Sequence, residues 1–171
     1  MMARMLRTMA LAVACLLRHD DDTWTIAVRV EAMHCDECRA GLEANLKAIR
    51  DARVETEGTT VTVTVPEKVR VGYKTIAAAL PSDLKLKSVT VTFRAVVSAK
   101  GERLDARAKD SGQTFALANL DDKKKDAVGE LKKSLKEPWK YAVTGELVER
   151  QRVETVLLPA VPAATTWKDE K

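Results

Sequence analysis

The chain has 171 residues, of which 46% are hydrophobic and only 4% aromatic, which fits one or two small domains with an aliphatic core. Its formal net charge of +4 comes from 29 basic and 25 acidic residues, and Arg4 and Arg7 lie in a segment that resembles an export signal. This near balance gives no electrostatic argument for nucleic acid, and we expect no nucleic-acid partner. Three cysteines are too few for a disulfide-rich scaffold.

The N-terminal residues 1–22 predict a signal peptide followed by a short linker. A basic start precedes an apolar run at residues 8–17 that is too short to span a membrane, and small residues at 12–14 fit a cleavage site. We therefore expect an exported protein, periplasmic or in the cell envelope. The alternative is a cytosolic protein that begins near Trp24. Cys15 follows the small residues and is a candidate for a lipid anchor.

The next segment, residues 23–91, predicts the element order β-α-β-β-α-β. Strict alternation of apolar and polar residues predicts strands, and apolar residues spaced three or four apart predict helices. The expected elements are a strand at 25–30, a helix at 39–49, a hairpin of 54–57 and 60–65, a helix at 73–80 and a strand from residue 84. This order is that of the split βαβ, or ferredoxin-like, unit.

The following segment, residues 92–158, predicts a small β-rich, OB-like barrel domain. The expected elements are strands at 89–99, 102–110 and 114–120, a helix at 123–135, and a hairpin of 139–149 and 152–158. No linker signal interrupts residues 84–99, so the last strand of the first domain is expected to run straight into the second. Residues 159–171 predict a disordered tail. The predicted fold class is therefore α+β, with a ferredoxin-like domain followed by a barrel domain.

The hexapeptide Met33-His34-Cys35-Asp36-Glu37-Cys38 lies between the first predicted strand and the first predicted helix. Two thiols at this spacing can approach one ion from the same side. A helix N-terminus favours the thiolate form, which is the form that binds metal. Thiolates suit Cu(I), Zn(II), Cd(II) and Hg(II), and two ligands alone satisfy Cu(I) or Hg(II), whereas Zn(II) normally takes four.

This M-x-C-x-x-C motif, together with the β-α-β-β-α-β order, resembles the heavy-metal-associated domain of copper chaperones and metal-transporting P-type ATPases. The resemblance covers about 70 residues. It implies that Cys35 and Cys38 ligate the metal, with Cu(I) favoured over Zn(II), Cd(II) or Hg(II), and that Met33 packs under the loop. It also implies a partner protein that donates or accepts the metal, such as a metal transporter.

Three further residues are secondary candidates near the cysteine pair, and each has a plainer interpretation. His34 is a candidate ligand or an exposed loop residue. Asp36 is a candidate ligand or a first-turn residue that the helix dipole favours. Lys85 lies in the loop after the second helix, where many family members have Tyr or Lys close to the metal. The acidic loop leaves room for a divalent ion.

The sequence therefore predicts a non-enzymatic protein that binds a soft metal ion and passes it on by thiolate exchange. Nothing in it resembles a phosphate-binding loop, a catalytic triad or a paired acid–base site. Two alternatives use the same residues differently. A C-x-x-C pair at a strand-to-helix junction also occurs in thiol–disulfide redox proteins, and an interaction module could carry a vestigial pair.

Overall fold

The computed structural model describes residues 22–121, 126–135 and 139–165. The elements in chain order are β1 (Thr23–Val30), α1 (Asp36–Lys47), β2 (Arg53–Glu57), β3 (Thr60–Pro66), α2 (Tyr73–Ala79), β4 (Leu86–Lys100), β5 (Arg103–Ala108), β6 (Thr114–Asn119), α3 (Ala127–Ser134), β7 (Trp139–Arg150), β8 (Val153–Leu158) and β9 (Ala163–Ala164). Among the described residues no helix is both long and apolar enough to cross a membrane.

The long strand β4 joins the two ends of the sheet. Its first half pairs antiparallel with β1 through residues 86–92, and its second half pairs on the same edge with β5 through residues 95–100. Its other edge pairs with β7 through residues 90–97. The strand order is therefore β2-β3-β1-β4-β5-β6-β8-β7-β9, with β4 also bonded to β7.

A closed barrel of five strands forms where β7 returns to β4. β6 pairs in parallel with β8, β8 pairs antiparallel with β7, and β7 pairs with β4. β7 pairs with β4 through residues 139–146 and with β8, on its other edge, through residues 146–150, so Glu146 is bonded to both strands. A Cβ atom at Gly145 would lie 2.5 Å from the carbonyl oxygen of Leu157, so this close approach of two backbones requires glycine.

One continuous hydrophobic core runs through the whole described structure. α1 and α2 contribute Leu42, Leu46 and Ile76, all fully buried. At the centre, Trp24 of β1 stacks on Phe93 of β4 with ring centroids 5.2 Å apart, and Phe115 of β6 contacts both rings. Since aromatic side chains bury large areas, this group binds the helix-covered part of the sheet to the barrel.

The predicted fold class is wrong. The protein is mostly β, with a closed five-stranded barrel and three described helices, and it is not a ferredoxin-like domain followed by a separate barrel domain. The physical reason is the 15-residue strand β4, whose buried side chains alternate without interruption into both parts. Because β4 hydrogen-bonds to β1, β5 and β7, the sheet continues from one part into the other.

Individual elements follow the sequence pattern closely. The predicted strands and helices are confirmed within a few residues at each end, and the run expected to continue past residue 91 is confirmed as β4. The predicted division at residue 91 falls inside that strand, and the two-domain boundaries stay a prediction. Within the predicted tail, β9 pairs with β7. The predicted signal peptide with Cys15, residues 123–125 of the predicted third helix, and residues 166–171 lie outside the described residues.

Candidate metal-binding site

The cysteine pair lies where the chain leaves β1 and enters α1. Cys35 is the N-cap residue, with an extended backbone at φ −137° and ψ 150°. Its sulfur accepts a hydrogen bond from the backbone N–H of Cys38 at 3.0 Å. Cysteine thus takes the capping position that Ser, Thr, Asp or Asn usually fills. The sulfur lies at the positive end of the helix, where negative charge is stabilised.

Cys35 and Cys38 are joined as a disulfide, with Cα atoms 5.3 Å apart. Both residues are half-buried, so the pair borders solvent without standing clear of the surface. A disulfide sulfur is a poor metal ligand, because the thiolate is the binding form. Reduction adds two electrons and two protons and gives two thiols on the same turn. In this oxidised state the two sulfurs are therefore not available to bind a metal ion until the disulfide is reduced.

Asp83 is a third group at this site. One of its carboxylate oxygens, Oδ2, lies 3.1 Å from the Sγ atom of Cys38. The two sulfurs and a carboxylate oxygen of Asp83 all lie within 4.8 Å of one another, so one ion could contact all three. Asp83 is not among the residues that the sequence predicts for the site, although the resemblance places the loop after α2 near the metal and makes Lys85 a candidate there. The presence of an acidic residue in that loop is the sequence feature that could have identified Asp83 as a candidate ligand.

Backbone hydrogen bonds hold the Asp83 loop against the cysteine loop. The N–H of Glu31, just after β1, donates to the carbonyl of Lys85 at 3.0 Å. The N–H of Leu84 donates to the carbonyl of Pro81 at 3.0 Å, which closes a turn around Asp83. Leu84 itself is buried and anchors the loop in the core. The carboxylate is thus placed by the fold and not by chain proximity, since 45 residues separate Asp83 from Cys38.

A cavity of about 360 Å³ opens beside the cysteines. Its lining includes Cys38, Asp83, His34 and Lys85. His34 and Lys85 are exposed, and neither belongs to the group of candidate ligands around the sulfurs. They contribute an imidazole ring and an amine group to the wall of the cavity. The cavity is large enough to admit water, a free ion or a small ligand to Cys38.

The remaining residues of the hexapeptide have structural positions. Met33 is half-buried and packs against the core. Asp36 and Glu37 are exposed in the first turn of α1, where the helix dipole favours acidic side chains. Asp36 is not in the group of candidate ligands.

A second acidic group, Asp22, Glu67 and Asp110, is close enough to hold an ion but already has cationic partners. The Arg94 guanidinium donates to Glu67 at 2.8 and 3.0 Å and to Asp22 at 2.6 Å. Lys109 lies 3.5 Å from Asp22 and 3.9 Å from Asp110. Burial raises the pKa of Glu67, against the opposing effect of Arg94. This group is an ion-pair network that links β4 to the chain after β3.

No known protein family, no curated protein and no solved structure matches the chain. Because one fold can host many functions, the fold alone assigns none to this chain. That site comprises Cys35, Cys38 and Asp83 beside an open cavity.

Proposed function

We propose that this protein binds a soft metal ion between Cys35 and Cys38 and passes it to a partner protein. The observation that carries the proposal is that two half-buried sulfurs and a carboxylate oxygen lie within 4.8 Å of one another beside a cavity open to solvent. Such a group matches the ligands of soft and borderline ions. The ion is cargo that the protein carries.

Binding follows reduction of the disulfide by a thiol or phosphine. Each cysteine then loses its proton as it bonds to the ion, so metal affinity rises with pH. The N-cap position of Cys35 favours the thiolate. With two thiolates alone, low-coordinate Cu(I) is the expected ion. The partner is a protein that presents its own thiolates, such as a metal transporter, and the ion moves through intermediates that share ligands from both proteins.

Metal titration under competition tests the proposal. We would use the full chain with Cys15→Ser, so that the site cysteines are the remaining thiols. Reduced protein is titrated with Cu(I), Zn(II) and Cd(II) against a chromogenic chelator. The matched control is the same protein with its disulfide intact, and a second control carries Cys35→Ser and Cys38→Ser. We expect one ion per chain in the reduced protein alone. Equal binding by the oxidised protein or by the double variant would refute the proposal.

A second candidate function is thiol–disulfide exchange, which the Cys35–Cys38 disulfide favours. In that reaction the reduced pair gives two electrons and two protons to a substrate disulfide and itself becomes the disulfide. The helix N-terminus at Cys35 suits a reactive thiolate equally well. Two measurements separate the functions: equilibration with glutathione buffers, and turnover of a small disulfide substrate by the Cys15→Ser protein. Turnover without thiol-dependent metal binding would favour the redox function.

A further inference from the structure

We propose that Asp83 is the third ligand of the site and that it directs the site toward a divalent ion of the Zn(II) or Cd(II) class over Cu(I). This inference rests on the proposed metal-binding function and specifies its cargo. The resemblance to heavy-metal-associated domains points to two cysteines alone. The carboxylate comes from a different loop, which the fold brings to the sulfurs.

The geometry fits a mixed sulfur–oxygen site. With Zn–S bonds of about 2.3 Å, Zn–O bonds of about 2.1 Å and tetrahedral angles, sulfur and oxygen ligands lie roughly 3.6 Å apart. Asp83 Oδ2 lies 3.1 Å from Cys38 Sγ, and the three ligand atoms lie within 4.8 Å of one another. After reduction the two sulfurs must move apart to roughly 3.8 Å, the spacing that two Zn–S bonds require, and rotation of the cysteine side chains is the movement that would place all three ligands around one ion. The cavity beside Cys38 leaves room for water as a fourth ligand.

Charge and ligand chemistry both favour a divalent ion. Two thiolates and one carboxylate carry three negative charges, so a monovalent ion leaves a net charge of −2 and a divalent ion leaves −1. Asp83 is exposed but the two sulfurs are half-buried, and like charges repel more strongly beside half-buried sulfurs than in bulk water, so the smaller residual charge is favoured. Cu(I) is satisfied by two soft sulfurs and gains little from a hard oxygen, whereas Zn(II) accepts carboxylate oxygen and prefers four ligands.

The test compares two single-charge changes in the reduced, full-length Cys15→Ser protein. Asp83→Asn keeps the shape of the side chain but removes its charge and one oxygen. Asp36→Asn, an exposed acid in the adjacent helix turn, is the matched control for charge alone. Zn(II), Cd(II) and Cu(I) affinities are measured by chelator competition. Cadmium binding is also followed by the sulfur-to-cadmium ultraviolet absorption band, and circular dichroism verifies that each variant is folded.

We expect Asp83→Asn to weaken Zn(II) and Cd(II) binding by at least 10- to 100-fold, since losing even an outer-shell partner typically costs roughly that much. Cu(I) affinity should change less than about threefold, and Asp36→Asn should leave both ion classes nearly unchanged. Equal weakening by both variants, equal weakening for all three ions, or no weakening would overturn the role of Asp83 while leaving metal binding intact. Absence of thiol-dependent binding in the parent protein would instead refute the proposed function itself.

Discussion

The buried ion pair between Arg94 and Glu67 offers a quantitative test of how the two ends of the sheet are held together. The Glu67 side chain is fully buried and the Arg94 side chain is 14% exposed. Two hydrogen bonds, at 2.8 and 3.0 Å, join guanidinium and carboxylate. Arg94→Met keeps most of the apolar stem but leaves Glu67 buried without this partner. Breaking a buried pair from one side costs about 3–5 kcal/mol, a large share of the 5–15 kcal/mol typical of a domain.

The loss of stability caused by Arg94→Met should depend on pH, and the raised pKa of Glu67 determines in which direction. The pKa of Glu67 is higher in the folded protein than in the unfolded chain. Such a carboxyl group contributes most to stability when it is protonated, at a pH below its ordinary pKa of 4.5. That contribution to stability is lost as the pH rises through the raised pKa of the folded protein. Removing Arg94 raises the pKa further, so the loss extends to higher pH. Arg94→Met should therefore destabilise the protein more near neutral pH than near pH 5.

Urea unfolding followed by tryptophan fluorescence measures this difference, with the disulfide left intact. At neutral pH we expect the midpoint to fall by roughly 2 M, given a urea dependence of about 1–3 kcal/mol per molar. Near pH 5 the fall should be clearly smaller. Lys132→Met, which removes an ion pair to the exposed Glu102, is the matched control and should change little. A cost below about 1 kcal/mol at neutral pH, or an equal cost at both pH values, would refute the reasoning.

Three further substitutions test close backbone contacts and the start of a helix. Gly145→Val should destabilise the protein by about 3 kcal/mol or more in thermal or urea unfolding, because its Cβ would meet the Leu157 carbonyl at 2.5 Å. Gly41→Ala lies within α1, and its Cβ would meet only the Pro81 side chain at an ordinary 3.6 Å. It should instead stabilise by about 0.5–1 kcal/mol, and equal effects of the two substitutions would contradict the packing argument. Glu154→Ala should lower the free energy of unfolding by about 1–2 kcal/mol, because the Glu154 carboxylate accepts a hydrogen bond from the N–H of Tyr73 at 2.9 Å, at the start of α2. Hydrogen exchange of the Tyr73 amide should also accelerate. Unchanged exchange would show that this hydrogen bond is dispensable.

The candidate site was only partly predictable from the sequence. Cys35 and Cys38 were found because their spacing and their place at a helix start are local features of the chain. Asp83 was not found, because its position depends on the bond from Glu31 to Lys85 that draws two distant loops together. The disulfide was one of several states open to a C-x-x-C pair, and spacing alone does not choose among them.

The sequence by itself determined the local elements. The alternation in β4 and the three- and four-residue spacings in α1 specify strand and helix through short-range geometry. Only the tertiary structure decided how those strands are shared. β4 pairs with three partners because β7 returns to its second edge, while Gly145 lets the other edge of β7 approach Leu157 of β8, a contact between residues distant from β4 in the chain. Such long-range pairings are chosen by burial of a common core around Trp24, Phe93 and Phe115, and no local pattern encodes them.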